Sequence, residues 1–188
     1  MKILKWAMIV LAAILIVWLV IAALISGDFK YEKTITINAP VEKVWQNTNT
    51  LKAMDLWSPW NRLDAGMKKE WTGTEGQPGE KMCWSSKNDK AGKGCQEIKK
   101  VDPSLKRIDT SIKFMTPYES EADTYVIVAH EGNASKVTWG FNSQIPYPFT
   151  IMKLFMNMDG AIGKDYEQGL SMLKRISEKP SNIRQTQF

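Results

Sequence analysis

The sequence predicts an α+β chain: a curved seven-stranded antiparallel sheet wrapped around a long C-terminal helix, with two short helices after strand 1 and one N-terminal transmembrane helix. Three observations carry this. Residues 6–25 hold no charged side chain and are nearly all Leu, Ile, Val, Ala or Met. Between residues 31 and 143, short stretches of alternating apolar and polar character recur between turns bearing Gly, Pro, Asn or Asp. From Phe149 onward, apolar residues return at every third or fourth position.

A helix of about 20 residues at ~1.5 Å rise covers about 30 Å, the thickness of a bilayer's hydrocarbon core. A core helix of a soluble domain needs a polar face, and this run has none. The rival is a cleaved signal peptide, because Lys2 and Lys5 precede the run. The run is longer than a signal's apolar region, and Ala22-Ala23-Leu24-Ile25-Ser26-Gly27 offers no clean small-x-small cleavage site. Residues 1–27 are therefore expected to form a single-pass anchor in the cell membrane. The purely basic N-terminus favours a cytoplasmic start, which places the domain outside the cytoplasm, as in a periplasm.

Residues 28–178 are expected to be one domain, and 179–188 a polar disordered tail. A linker of five residues, Ser26 to Lys30, leaves the domain close to the bilayer. Strand 1 is predicted from Tyr31 to Ile37. Pro40 suits a first helical turn, and Val41, Val44, Trp45 and Thr48 follow at helical spacing. A second short helix runs from Leu51 to Trp57 and exits through Ser58-Pro59-Trp60. Six further strands are predicted: 67–71, 80–86, 94–101, 106–114, 121–129 and 136–143. A long helix from Phe149 to about Ser177 closes the fold. A sheet of seven strands curls under its own twist, and one helix across its concave face leaves room for a cavity.

Two cysteines, Cys83 and Cys95, flank a predicted hairpin. With the turn near Asp89 they fall opposite each other, close enough for a disulfide and an oxidising compartment. Two unrelated buried thiols remain the alternative.

The formal net charge of +5 comes from lysines scattered along strands and turns, so no nucleic-acid partner is expected and the basic surface reads as solvated. With one histidine, His130, and two cysteines, no metal site and no cofactor are expected.

Several stretches resemble the START-like and polyketide-cyclase superfamily, SRPBCC. They are ITINAPVEKVW at the first strand and helix, DLWSPWN in the second helix, GKGCQEIKKVDP, EGNASKVTWGF, and MNMDGAIGKDYEQGLSMLK in the final helix. The resemblance implies a helix-grip fold and a deep apolar pocket between sheet and helix. Members range from lipid-transfer domains to aromatase/cyclases, so the resemblance bears on fold more than on function.

The candidate ligand-binding residues are Trp57, Trp60, Trp84, Tyr125, Trp139, Phe141, Met152, Phe155, Met156, Asp159, Ile162 and Tyr166. Flat aromatic rings and flexible thioethers suit the wall of an apolar cavity, and ordinary core filling is the competing reading. Asp159 falls near the middle of the apolar stripe of the final helix, where a carboxylate costs free energy unless partnered. It is the one weak catalytic candidate, with Tyr118 or Tyr125 as proton-handling partners, against a purely structural hydrogen bond.

Membrane-tethered binding of a lipid or other hydrophobic small molecule, as carrier or sensor, is the leading expectation. A polyketide cyclase/dehydrase-like enzyme and a cell-envelope protein-interaction module are the alternatives. The single histidine and the tether weigh against soluble catalysis. The oligomeric state is not legible.

Overall fold

The computed structural model describes residues 2–180 apart from 118, 156 and 158, with only the backbone at 159 and 161. The apolar run is a continuous helix, α1 (Lys2–Leu24). Its 23 residues correspond to about 34 Å of rise. Nearly all its side chains are exposed, which in water would be strongly unfavourable.

Strand β1 (Asp28–Ile37) begins almost at once. It starts three residues earlier than its alternation suggests, because Asp28 and Phe29 pair with Gln144 and Ser143. The linker is therefore residues 25–27. At Gly27 a side-chain carbon would come within 2.4 Å of the Ile145 carbonyl oxygen, and the Ile145 N–H donates to the Gly27 oxygen at 2.8 Å. Only glycine admits this close approach.

Two short helices follow, α2 (Val41–Gln46) and α3 (Leu51–Asp55), then a 3-10 turn over Pro59–Arg62. The Thr50 hydroxyl caps α3 by accepting from the Ala53 N–H at 3.0 Å. Six strands complete the sheet: β2 (Lys68–Thr72), β3 (Lys81–Ser85), β4 (Lys93–Asp102), β5 (Arg107–Thr116), β6 (Ser120–Glu131) and β7 (Ala134–Gln144). Their order is β1-β7-β6-β5-β4-β3-β2, antiparallel throughout. This is a meander closed by β1.

The final helix corrects the sequence expectation. Residues 149–177 are not one α-helix. A 3-10 segment (Phe149–Leu154) and a π-helical turn (Asp159–Gly163) come first, and α4 runs only from Lys164 to Glu178. The physical cause lies in α1. A helix leaves its last carbonyls without intrahelical partners, and the 149–154 segment supplies donors to that end. The Thr150 hydroxyl donates to the Ala22 oxygen at 2.5 Å, and the Lys153 ammonium to the oxygens of Ser26 and Asp28 at 2.7 and 2.6 Å. Gly160 and Gly163 then weaken any continuation of the helix upstream of α4.

The core lies between the concave face of the sheet and the helices. Ile37, Ile108, Val126, Val128 and Val137 meet Val44, Leu51, Leu170 and Leu173 there, all almost fully buried. On the opposite, outer face, Cys83 and Cys95 stand directly across from each other and are joined by a disulfide.

Candidate functional site

Register decides which candidates face inward. Along β1 and β7 the concave face carries Phe29, Tyr31 and Ile35 beside Val137, Trp139, Phe141 and Ser143. It continues through Ala122, Thr124 and Val126 on β6, and Ile108, Thr110, Ile112 and Phe114 on β5. Gly94, Gln96 and Ile98 on β4, Met82 and Trp84 on β3, and Lys69 and Trp71 on β2 complete it.

This face has two parts. Under α4, Trp139 stacks on Tyr166 with centroids 4.0 Å apart, and it meets Trp57 and Trp60 edge-on at 4.8 and 5.7 Å. Gly169 makes this possible, since a side-chain carbon there would sit 2.8 Å from the indole of Trp139. Trp57, Trp139 and Tyr166 are buried, and the Trp57 indole N–H is spent on the Asn47 carbonyl at 2.8 Å. These three predicted pocket residues pack against one another as core. Burial pushes the Tyr166 phenol pKa upward, with smaller contributions from Tyr31 and Tyr125.

The second part lies toward β2–β5 and is only partly covered. Trp71, Trp84, Ile112 and Phe114 are half-buried there; Trp60 lies against Trp139 and Tyr166, and Phe141 on β7 against Phe29, each half-buried. Trp84 meets Phe114 edge-on at 6.0 Å and donates its N–H to the Ala91 carbonyl at 2.9 Å. Ile162, at the π-helical turn, is half-buried beside the core. Flat, weakly polar rings on a partly open concave surface are suited to an apolar molecule.

Sequence reasoning missed the polar groups set into this wall. The Gln96 amide donates to the Thr110 hydroxyl at 2.9 Å, which shares a 2.7 Å hydrogen bond with the Thr124 hydroxyl. Both threonines are buried. At the rim, Lys69 forms an ion pair with Asp55 at 2.8 Å. A ladder of hydroxyl and amide groups inside an apolar wall can orient one polar end of a ligand. The signal was available: Thr110 and Thr124 alternate in step with the inward residues Ile108, Ile112 and Val126.

Other candidates fall elsewhere. Tyr125 is corrected to the outer face. It alternates with Thr124 and Val126, and its ring lies over Gly140, where a side-chain carbon would come within 2.2 Å of it. Its hydroxyl donates to Glu32, and the Arg107 guanidinium sits 4.5 Å from its centroid. Met152 and Phe155 are corrected too: both are exposed, Met152 on the 149–154 segment beside α1 and Phe155 just after it. Met156 and Tyr118 lie outside the described residues. For Asp159 only the backbone is described; it opens a π-helical turn, so a count of 100° per residue along an α-helix does not apply to it. A depression of about 710 Å³ lies mainly on the outer face, lined by Lys30, Lys81, Glu97, Lys113 and Asp123, with Phe29, Ile112 and Ala122 of the concave strands also contributing to its lining.

A family profile described as "Polyketide cyclase / dehydrase and lipid transport" matches residues 28–178. The chain belongs to this family. Solved structures share this fold at low identity. The plant enzyme norcoclaurine synthase from Thalictrum flavumn, as a point mutant with a transition-state analogue, is 10% identical with a TM-score of 0.58, covering 81% of this chain and 95% of its own. Ara h 8.0201 is 14% identical with a TM-score of 0.56, covering 80% and 98%. Protein CV1439 from Chromobacterium violaceum is 15% identical with a TM-score of 0.54, covering 82% and 99%. A comparison with curated proteins finds no match. At these identities the likeness concerns the fold alone.

The outer-face tyrosine gives a testable pH dependence. Burial raises the Tyr125 phenol from its ordinary 10.0 to about 12, with the hydrogen bond to Glu32 and the charge of Glu32 adding to it. The folded state thus holds this proton more tightly than the unfolded chain. Its contribution to stability is complete below about pH 10 and is lost as pH rises toward about 12. Titration of tyrosinate absorbance should show a late step that Tyr125→Phe removes. Persistence of that step in the variant would assign it to another residue.

Proposed function

We propose that this protein holds a hydrophobic small molecule or lipid against the half-buried aromatic wall of its sheet, on a domain tethered to the membrane by α1 and facing an extracytoplasmic compartment. The observation that carries this is the contrast between the two parts of the concave face. Aromatic rings are packed solid under α4, yet Trp71, Trp84 and Phe114 on β2, β3 and β5 remain partly uncovered. Large partly exposed rings around a small set of polar groups are what a cavity for an apolar ligand requires, and core filling alone does not call for them. The family's description as cyclase, dehydrase and lipid transport proteins is in keeping with such a ligand.

The tether is supported by the length and uninterrupted apolarity of α1. Placement outside the cytoplasm is supported by the Cys83–Cys95 disulfide, since such bonds persist where the surroundings oxidise thiols. Native mass spectrometry of the full chain, released from detergent, is the direct test. It should show the protein plus an apolar molecule of defined mass, and Trp84→Ala or Thr110→Val should lower the bound fraction. A chain that stays empty after incubation with total lipid extract, with no quenching of its tryptophans by any lipid class, would overturn the reading.

A further inference from the structure

We infer that residues 147–155 form a second membrane contact: an interfacial segment that lies in the headgroup and upper acyl region beside α1 and holds the open end of the aromatic wall toward the bilayer. The inference rests on the tethered reading of α1. Four observations lead to it.

The segment is unusually apolar for an exposed one. Phe155 is 85% and Leu154 62% exposed, and Tyr147, Phe149 and Met152 are each at least half exposed. Five large side chains in nine residues make a contiguous apolar patch, which a water-facing surface seldom carries without a partner. The patch is also fixed in place. Thr150 and Lys153 hydrogen-bond to the backbone of residues 22, 26 and 28, so the segment is docked on the last turns of α1. Its depth follows. Ala22 is buried, and Trp18 and Leu19 are half-buried among otherwise exposed α1 side chains. The covered zone therefore reaches about 9 Å inward from Leu24, counted at ~1.5 Å per residue. If α1 spans a bilayer, a segment resting on that zone lies within its interface.

The sheet supplies the last observation. The register row through Phe29, Ser143, Ala122, Ile112 and Gln96 crosses the sheet at the end where β1 leaves α1. In that row Phe29 and Ala122 are buried, while Ile112 and Gln96 on β5 and β4, with Phe114 and Trp84 one row further, are half-buried. The opposite end is closed by Val41 and Val44 of α2 over Ile37 and Val137. The open end of the interior and the apolar segment thus share the membrane-proximal side. The occupant of the patch is the bilayer itself: the patch continues the apolar surface of α1, and Lys153 keeps its charge on the carbonyls of Ser26 and Asp28. Aromatic and aliphatic side chains flanked by a snorkelling lysine are characteristic of interfacial segments. A ligand would then pass between lipid and protein without crossing water.

The test uses the full chain in phosphatidylcholine vesicles, with one added cysteine carrying an environment-sensitive fluorophore. Cys83 and Cys95 are bonded to each other, so the label goes to the added thiol. Three sites are compared against lipids bearing a nitroxide high on the acyl chain: Val10→Cys in α1, Phe155→Cys in the segment, and Asn133→Cys in the exposed β6–β7 turn. The expected result is a blue-shifted, strongly quenched label at 155, with 133 unquenched and 10 quenched by a deeper nitroxide. Quenching at 10 with none at 155 overturns the second contact and leaves the tether standing. No quenching at 10 overturns both. Because Phe155 is so exposed, its replacement should leave the thermal transition unchanged, which separates lipid contact from misfolding.

Discussion

Replacing Trp139 with alanine is expected to destabilise the domain by about 3–5 kcal/mol, at the upper end of large-to-small core changes. The indole is nearly fully buried and touches three other aromatic rings: Tyr166 stacked at 4.0 Å, Trp57 at 4.8 Å and Trp60 at 5.7 Å. Tyr166 cannot collapse into the vacated volume without moving α4, and Trp57 is held by its indole N–H on the Asn47 carbonyl, so much of the cavity persists and its cost is retained. Gly169 offers a check on mechanism. Its missing side chain is what accommodates the indole, so Gly169→Leu alone should also destabilise, by displacing Trp139. The double variant Trp139→Ala with Gly169→Leu should lose less than the sum, because the leucine fills the space the indole leaves. Urea unfolding followed by circular dichroism measures all three. A loss below about 1 kcal/mol for Trp139→Ala, or strict additivity in the cycle, would show that the aromatic stack is not a close-packed unit.

The same stack shows what was legible from the residues and what was not. Period-two alternation and Gly, Pro and Asn turns located all seven strands, because a strand with one buried face leaves that pattern directly in the chain. Trp84 and Trp139 were placed on the correct face for the same reason. Parity would also have placed Tyr125 outside, between Thr124 and Val126; its size and aromaticity suggested a ligand role that its position does not support. Whether an inward tryptophan lines open space or fills it is different in kind. Trp57 and Trp84 are equally apolar in sequence, yet one is sealed under α4 and the other half-open, because coverage depends on where α4 begins. α4 begins at Lys164, well after the Phe149 start that helical spacing implies. Met152, Phe155 and Ile162 satisfy helical spacing as well as any core helix does. The break comes from tertiary capture of Thr150 by the end of α1 and of Lys153 by the residues that follow it, more than a hundred residues away in the chain, and no local window contains it.

Removing the disulfide, by Cys83→Ser with Cys95→Ser, is expected to destabilise the domain by about 3 kcal/mol, the loop-closure value for a ring of this size. With a sequence separation of 12 the ring is small. The effect should be concentrated at one edge of the sheet. β2 is five residues long and pairs with β3, the strand that carries Cys83. Without the cross-link the β3–β4 hairpin opens more readily, and β2 opens with it. Amide exchange at residues 68–72 and 81–85 should therefore accelerate well before global unfolding, while β6 and β7 stay protected. For a domain of ~150 residues the global change corresponds to roughly 6–12 °C in Tm. The wild-type chain under a reducing agent should reproduce the double variant, since both release the same constraint from the unfolded ensemble. Because Trp71 and Trp84 of the open wall stand on these two strands, loosening them should also weaken ligand retention, linking the redox state of the outer face to occupancy of the inner one. Equal protection of β2 with and without the bond would break that link and leave the cross-link a local staple.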